Sequence, residues 1–247
     1  MSPITEEMVE VAARAIYETS VARVRKLVSE IELDTEHYKT LFREMREDVS
    51  DRAVAISIFA LFDDLICDTY RRHFNPEIKD GVDGILEGSG FLSTSHNRIK
   101  LAAALYWIEK GTYERLNLLR NIRNRFAHHI EAKTFADKKI AGYITSFPKI
   151  PEALEGVIVQ YGGPPYKKLP LRQKFLVQSA LLFKDTVFEI IVLPYARMME
   201  VSPGSILGDR EKMPDNLRAL MNEAVDMVID VTLADAPDPK DQAVAQQ

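Results

Sequence analysis

Apolar positions recur every three or four residues along most of the chain, which is the spacing of amphipathic helices. The pattern predicts a first helix over residues 5–31. A more apolar helix is predicted over 51–73, where Ser57 is the only polar side chain between residues 53 and 62, and we expect it at the centre of the core. The apolar side of the first helix carries Met8, Ala12, Ala15, Ile16, Val24, Leu27, Val28 and Ile31.

Turn-forming residues divide the rest of the chain into further helices. Residues 75–90 contain four glycines and predict a loop with at most a short helical turn, and Lys110-Gly111 predicts a break. Val157-Ile158-Val159 is typical of a brief strand. The other predicted helices are 34–45 capped by Asp34, 96–109 capped by Ser93, Thr94 or Ser95, 112–129, 137–145, 171–199 bent near Pro194, and 214–232.

This organisation predicts an all-α fold, a bundle of about six to eight helices. We expect N-terminal helices at 1–48 that pack on a core at 49–147. Residues 148–232 are expected to form a C-terminal helical region of the same domain. Residues 233–247 are rich in Ala, Asp, Pro and Gln, a composition that predicts a disordered tail.

Composition narrows the functional classes. The net charge of -5 and pI of 5.6 argue against broad non-specific DNA affinity. The single cysteine, Cys67, excludes an intramolecular disulfide and is expected to be a buried, inert thiol. No secretory signal and no apolar run of membrane-spanning length is visible, so we expect a cytoplasmic protein without a membrane partner. The sequence shows no nucleotide-binding loop and no metal-ligand cluster, and we expect no cofactor and no metal.

One segment departs from the acidic average. Residues 115–130 contain four arginines, three asparagines and two of the five histidines, and no Asp or Glu. Such a cationic stretch in an acidic protein indicates a surface that meets an anion. Arg120 and Arg125 are therefore candidate anion- or nucleic-acid-binding residues. Ser95, Arg98 and Lys100, at the start of an earlier predicted helix, are a second candidate anion site, although ordinary capping explains the same residues.

A helical projection separates two faces of this segment. Leu116, Leu119, Ile122, Phe126 and Ile130 form the apolar face. Asn124 and His128 share another side, because they are four residues apart. Arg123 points about 140° away from His128, so one straight helix does not aim both at a single atom.

Structural alternatives exist for these residues. Asp63 and Asp64 lie in the most apolar helix, and a buried acid there needs a cation such as Arg120 or Arg123. His128 can be a helix C-terminal cation favoured by the macrodipole. The segment would then only close the core of a helical scaffold.

Three segments together resemble the mannitol operon repressor (MltR-like) family. They are Arg52-Ala53-Val54-Ala55 with Asp63-Asp64, residues 90–102 beginning Gly90-Phe91-Leu92, and residues 122–128, in the same order over roughly 51–147. The resemblance implies an all-helical bacterial regulator without a conventional DNA-reading module. Such a protein would act by binding a protein or nucleic-acid partner.

More narrowly, Arg123-Asn124 followed by His128 resembles the Arg-x(4–6)-His motif of the HEPN helical ribonucleases. That resemblance implies a HEPN-like core in which Arg123 and His128 are catalytic, Asn124 orients them, and two protomers build one site. An imidazole can move the 2′-OH proton of RNA, and a guanidinium can offset charge on the phosphate, without metal. We therefore expect a homodimer, with a repressor-type regulator as the leading function and a metal-independent endoribonuclease as the alternative.

Overall fold

The computed structural model describes residues 5–45, 49–77 and 81–233, and these ranges form eleven α-helices and no β-strand. The predicted all-α fold is confirmed. Eight helices have nine residues or more, within the expected six to eight. In chain order they are α1 Glu6–Ser29, α2 Thr35–Glu44, α3 Asp51–His73, α4 Gly81–Leu86, α5 Ser95–Ala104, α6 Lys110–His128, α7 Lys138–Thr145, α8 Glu152–Gln160, α9 Leu171–Met198, α10 Gly204–Leu207 and α11 Asp215–Leu233, with a 3₁₀ turn at Tyr166–Lys168.

Short polar side chains begin five of these helices, among them Ser50 before α3, because a helix leaves its first N–H groups without backbone acceptors. Thr5 accepts from the Met8 amide, and Asp34 accepts from the His37 amide at 2.9 Å. Thr94 caps α5, and Asp137 caps α7 through two amides. The predicted cap at Asp34 is confirmed, and Thr94 is the one that caps among the three candidates before α5.

The strand predicted at 157–159 is wrong, because these residues lie inside α8. Pro151 immediately precedes the helix, and Glu152 and Glu155 occupy its first turn, where acidic groups favour helix. Only Ile158 of this helix is buried. Three β-branched residues therefore do not outweigh the helical signals around them.

The break predicted at Lys110-Gly111 lies earlier in the chain, between Ala104 and Lys110. Helix α5 ends at Ala104 instead of residue 109, and Tyr106 has a left-handed backbone with φ of 56°. Lys110 and Gly111 instead form the first turn of α6. A glycine is tolerated there because that turn carries few intrahelical hydrogen bonds.

The chain divides into two compact units built from non-contiguous segments. Among the described residues, the first unit comprises 5–33, 66–77, 81–110 and 186–221, and the second comprises 34–45, 49–65, 111–185 and 222–233. The predicted boundaries at 49, 148 and 233 remain predictions. Of the predicted disordered tail, only Leu233 lies within the described residues.

In the first unit, Val21, Val24 and Val28 are the buried residues of α1, and the Tyr17 hydroxyl lies 2.8 Å from the Ser205 hydroxyl of α10. The predicted apolar face is exposed over the first half of α1, including Met8 and Ile16. Periodicity identifies the apolar side of a helix without showing that another element covers it. Cys67 is half-buried, not fully buried as predicted.

In the second unit, Val54, Ile58 and Phe62 of α3 are fully buried, which confirms the predicted core role of that helix. Phe135 links α6 to α9, because its ring lies 5.4 Å from Phe126 and 4.7 Å from Phe175, measured between centroids. Aromatic pairs at these distances add to the burial energy of the core. This cluster holds α6, the helix with the Arg-Asn-His segment. Across the described ranges, no helix combines the length and apolarity that crossing a membrane requires.

Candidate functional site on the Arg-Asn-His helix

Helix α6 is anchored by one apolar face. Its buried residues include Leu116, Leu119, Ile122 and Phe126, as the projection predicts. Ile130 does not belong to that face, because the helix ends at His128 and Ile130 is 84% exposed. The predicted face is thus confirmed for four residues and wrong for the fifth.

Two of the four arginines in the cationic stretch are bonded to carboxylates of the same unit. Arg115 donates to Asp185 of α9 at 2.8 Å. Arg125 donates to both oxygens of Asp137, at 3.3 and 3.0 Å, and both side chains are only 15% exposed. Half of the arginines in this stretch are therefore paired with acids that lie outside it.

The Arg125 contact also organises the start of the next helix. The Arg125 hydrogen bonds lower the pKa of the Asp137 carboxyl below its usual value. The same carboxylate accepts the Lys139 and Ile140 amides and so caps α7. Arg125 further lies 3.3 Å from Glu131. These contacts commit Arg125, predicted as an anion-binding residue, to the connection between α6 and α7.

Arg52 secures the end of α6. One terminal nitrogen of its guanidinium faces the carbonyl oxygens of His129, Ile130 and Ala132, at 3.1, 3.4 and 3.2 Å. These carbonyls follow directly after the last helical residue, His128. A cation at a helix C-terminus is favoured by the helix dipole, and here it also fixes the loop after the helix.

The side chains of Arg123 and Asn124 are hydrogen-bonded to each other, whereas the His128 side chain takes no part in this contact. Arg123 donates to the Asn124 side-chain oxygen at 3.0 Å, and its guanidinium carbon lies 5.8 Å from the centroid of the Phe59 ring. Both residues are half-buried, and His128 is exposed. Among the described residues, the His128 side chain forms no hydrogen bond or ion pair. The neighbouring His129 lies 3.1 Å from Glu131.

The helical geometry keeps Arg123 and His128 on different sides of α6. Both lie within the regular helix, so five residues at about 100° each leave about 140° between them. A catalytic pairing would therefore need the histidine of a second copy. The predicted ion pair between Arg120 or Arg123 and Asp63 or Asp64 stays a prediction.

Arg120 differs from the other arginines of α6. It is half-buried, and its Nε is buried without a hydrogen-bond partner among the described residues. A buried N–H without an acceptor costs about 1–3 kcal/mol, but this nitrogen is closed to solvent. The anion-binding role of Arg120 stays a prediction.

The second predicted anion site, formed by Ser95, Arg98 and Lys100 in the first unit, contains one buried residue that serves the fold and one exposed lysine. Arg98 is only 8% exposed, and it donates to the Leu86 and Leu92 carbonyls at 3.3 and 2.7 Å. This buried guanidinium serves the fold, because it satisfies the backbone of the loop before α5. Ser95 is half-buried and Lys100 is exposed. Lys100 is therefore the member of this group best placed for a ligand.

Sequence reasoning missed the roles of Arg52, Asp137 and Arg172. Arg172 of α9 bonds Asp51 at 2.9 Å and the Val49 and Met45 carbonyls at 2.7 and 2.8 Å. An aspartate followed by helical periodicity does mark Asp137 as a cap, but nothing local marks Arg125 as its partner. In the part of the chain that the structure describes, no group of three or more His, Cys, Asp or Glu residues could hold a metal ion.

Helix α6 lies within the part of the chain that matches a known protein family. No curated protein and no solved structure matched the chain. The family model described as Mannitol repressor matches residues 52–155, a range that contains α6 and begins at Arg52. The match supports a regulatory role. The matched range contains all three sequence segments named above, which confirms that they resemble this family.

Proposed function

We propose that this protein is a cytoplasmic transcriptional regulator of the mannitol repressor type that acts by binding a protein partner. The observation that carries the proposal is the family match over residues 52–155. That region includes the helix with the most unusual composition in the chain and the arginine that secures its end.

The charge distribution favours a protein partner over duplex DNA. DNA-binding surfaces need several unpaired cations, because each phosphate contact neutralises one charge. On α6, Arg115 and Arg125 are bonded to carboxylates, and the chain as a whole carries a net charge of -5. On α6 this leaves Arg120 and Arg123 as the arginines without a carboxylate partner described above.

The connections between helices agree with this reading. A DNA-reading helix-turn-helix joins its two helices by a turn of three or four residues. Between consecutive α-helices of the described ranges, the shortest connections have five residues, at 30–34, 105–109 and 199–203. None of these connections has the three or four residues typical of that motif.

The regulatory proposal is tested by deleting the gene in its host and measuring all transcripts, those for mannitol uptake first. We expect a defined set of transcripts to rise and to return when the wild-type gene is restored. In parallel, the purified protein should not shift a promoter fragment at physiological salt. An unchanged transcript profile would refute the regulatory role, and tight sequence-specific binding to DNA would refute the protein-partner mode.

The Arg123–Asn124 hydrogen bond supports a second candidate, a metal-independent endoribonuclease. The asparagine orients the guanidinium, as a HEPN-type site would need. Because Arg123 and His128 diverge on one helix, this function requires a homodimer in which His128 of a second copy completes the site. The solution mass, measured by light scattering, should then be twice 28.0 kDa, and a monomer at every working concentration would exclude this candidate.

An RNA assay tests the chemistry directly. Labelled RNA is incubated with the purified protein in EDTA, beside the Arg123→Ala and His128→Ala variants. Cleavage to a cyclic phosphate that both variants lose would establish the ribonuclease, because both groups are needed for proton transfer and charge stabilisation. A control variant, His129→Ala, should cleave as the wild type does. Intact RNA after incubation with every protein would exclude the ribonuclease function.

A further inference from the structure

A cavity of about 500 Å³ opens in the second unit, away from the Arg-Asn-His segment in sequence. It is lined by residues from the end of α7, the loop 146–151, the first turn of α8, the 3₁₀ turn at Tyr166–Lys168 and the first turn of α9. Its volume lies within the range of pockets that bind small molecules, about 300–1,000 Å³. None of these residues has a role in the proposed function.

One side of the cavity is apolar. Ile144, Phe147 and Ile150 line it and are buried, and Pro148 and the ring of Tyr166 add to the same surface. Phe147 and Ile150 lie in the loop between α7 and α8. This surface suits the hydrocarbon or aromatic body of a ligand.

The hydroxyl of Tyr166 has an unused proton. The Gln178 amide nitrogen donates to the Pro148 carbonyl at 2.9 Å and to the Tyr166 hydroxyl oxygen at 2.9 Å, which uses both of its protons. The phenol oxygen is thus an acceptor in that contact, and its own proton finds no acceptor among the described residues. Burial raises the pKa of Tyr166, so the hydroxyl stays protonated at neutral pH.

Three lysines line the same cavity, and two of them have no internal partner. Lys174 donates to the Lys167 carbonyl at 2.9 Å. The ammonium groups of Lys149 and Lys167 are exposed, and neither makes a hydrogen bond or ion pair within the described ranges. These groups can meet an acidic ligand without losing any contact of the fold.

Two carboxylates also line the cavity, and one of them is engaged by the fold. Glu155 accepts the Tyr166 amide at 3.1 Å. Glu152 and Glu155 both lie in the first turn of α8, where acidic groups are favoured by the helix dipole. The three lysines outnumber these two glutamates, and with the Tyr166 hydroxyl proton they favour an acceptor with negative charge.

We propose that this cavity binds a small organic anion, with its acidic group on Lys149, Lys167 and the Tyr166 hydroxyl and its apolar body against Phe147 and Ile150. Carboxylates, sulfonates and phosphate esters share the required chemistry. The site goes beyond the regulatory role and does not depend on it.

The test uses a fluorescent aromatic sulfonate, 8-anilinonaphthalene-1-sulfonate, titrated into the folded full-length protein. The Lys149→Glu/Lys167→Glu double variant should bind the probe at least tenfold more weakly, and Tyr166→Phe several-fold more weakly. Lys168→Glu is the matched control, because Lys168 belongs to the same 3₁₀ turn and does not line the cavity. Its affinity should equal that of the wild type.

A cavity-filling variant and two competing ligands complete the experiment. Thr145 lines the cavity and is exposed, so Thr145→Trp should fill the space and reduce binding without disturbing the core. Benzoate and phenyl phosphate, as competitors, distinguish a carboxylate ligand from a phosphate ester, and the better competitor identifies the class. Equal probe affinity in the wild type and the double lysine variant, or an equal loss in the Lys168 control, would overturn the proposal.

Discussion

Replacing Arg52 by methionine should loosen the end of the Arg-Asn-His helix. One guanidinium nitrogen carries two protons but faces three carbonyl oxygens, at 3.1, 3.2 and 3.4 Å, so at most two good hydrogen bonds form. Hydrogen bonds to charged groups contribute about 1.5–3 kcal/mol each when protected, and less where water competes, as around this half-buried side chain. With the favourable helix-end charge included, we expect a loss of about 2 kcal/mol.

The assay is thermal and urea unfolding followed by far-UV circular dichroism. A loss of this size in a chain of 247 residues corresponds to a fall in Tm of about 4–8 °C. The Ala132 amide, which donates to the His129 carbonyl at 3.1 Å, should also lose protection from hydrogen exchange. Arg14→Met is the control, because the Arg14 side chain is 82% exposed and, among the described residues, pairs with Glu18 of α1 alone. A change within about 0.5 kcal/mol of this control would refute the role of Arg52.

Further predictions concern three other sites. Arg172→Met leaves the Asp51 carboxylate without its cation and should lower the free energy of unfolding in urea by about 3 kcal/mol. A change below about 1 kcal/mol would contradict the stabilising role of the Arg172–Asp51 ion pair. A double-mutant cycle of Arg125→Ala and Asp137→Ala should show coupling between their effects on the free energy of unfolding. Asp137→Ala should be the more destabilising single change, because it also removes the α7 cap. Additive changes in the free energy of unfolding would contradict the ion pair. Burial and then the Arg72 charge lower the pKa of His73, so the unfolded chain binds a proton first as pH falls through about 6.5, and stability should decline from pH 7 to 5. His73→Phe should show a smaller decline in Tm over that interval, and an equal decline would show that His73 does not cause it.

Local patterns predict the helices of this protein well. The bounds of α3 follow from an apolar run after Ser50, and the cap of α2 follows from Asp34, because both signals are contained in a few consecutive residues. The errors arise where two local signals compete. The β-branched residues 157–159 indicate a strand, but the proline and glutamates before them favour the helix that forms.

The candidate site is less predictable, because its charges are balanced over long sequence separations. Arg115 meets Asp185, 70 positions later, and Arg52 meets carbonyls 77–80 positions later. A run of arginines without neighbouring acids therefore resembles an anion-binding surface in the sequence, although tertiary structure supplies the acids. The apolar face of α1 illustrates the converse case, because its period is regular while Met8 and Ile16 stay exposed.

The most direct test of the regulatory account is the transcript profile of a deletion strain that is complemented with the His128→Ala gene. His128 is exposed at the end of α6 and bonds no described residue, so a regulator that acts through a protein partner does not need its imidazole for chemistry. We predict that His128→Ala restores the wild-type transcript levels as fully as the unaltered gene does. Transcripts that respond to the wild-type gene but stay at the deletion level with His128→Ala would contradict the account and favour catalysis by this helix.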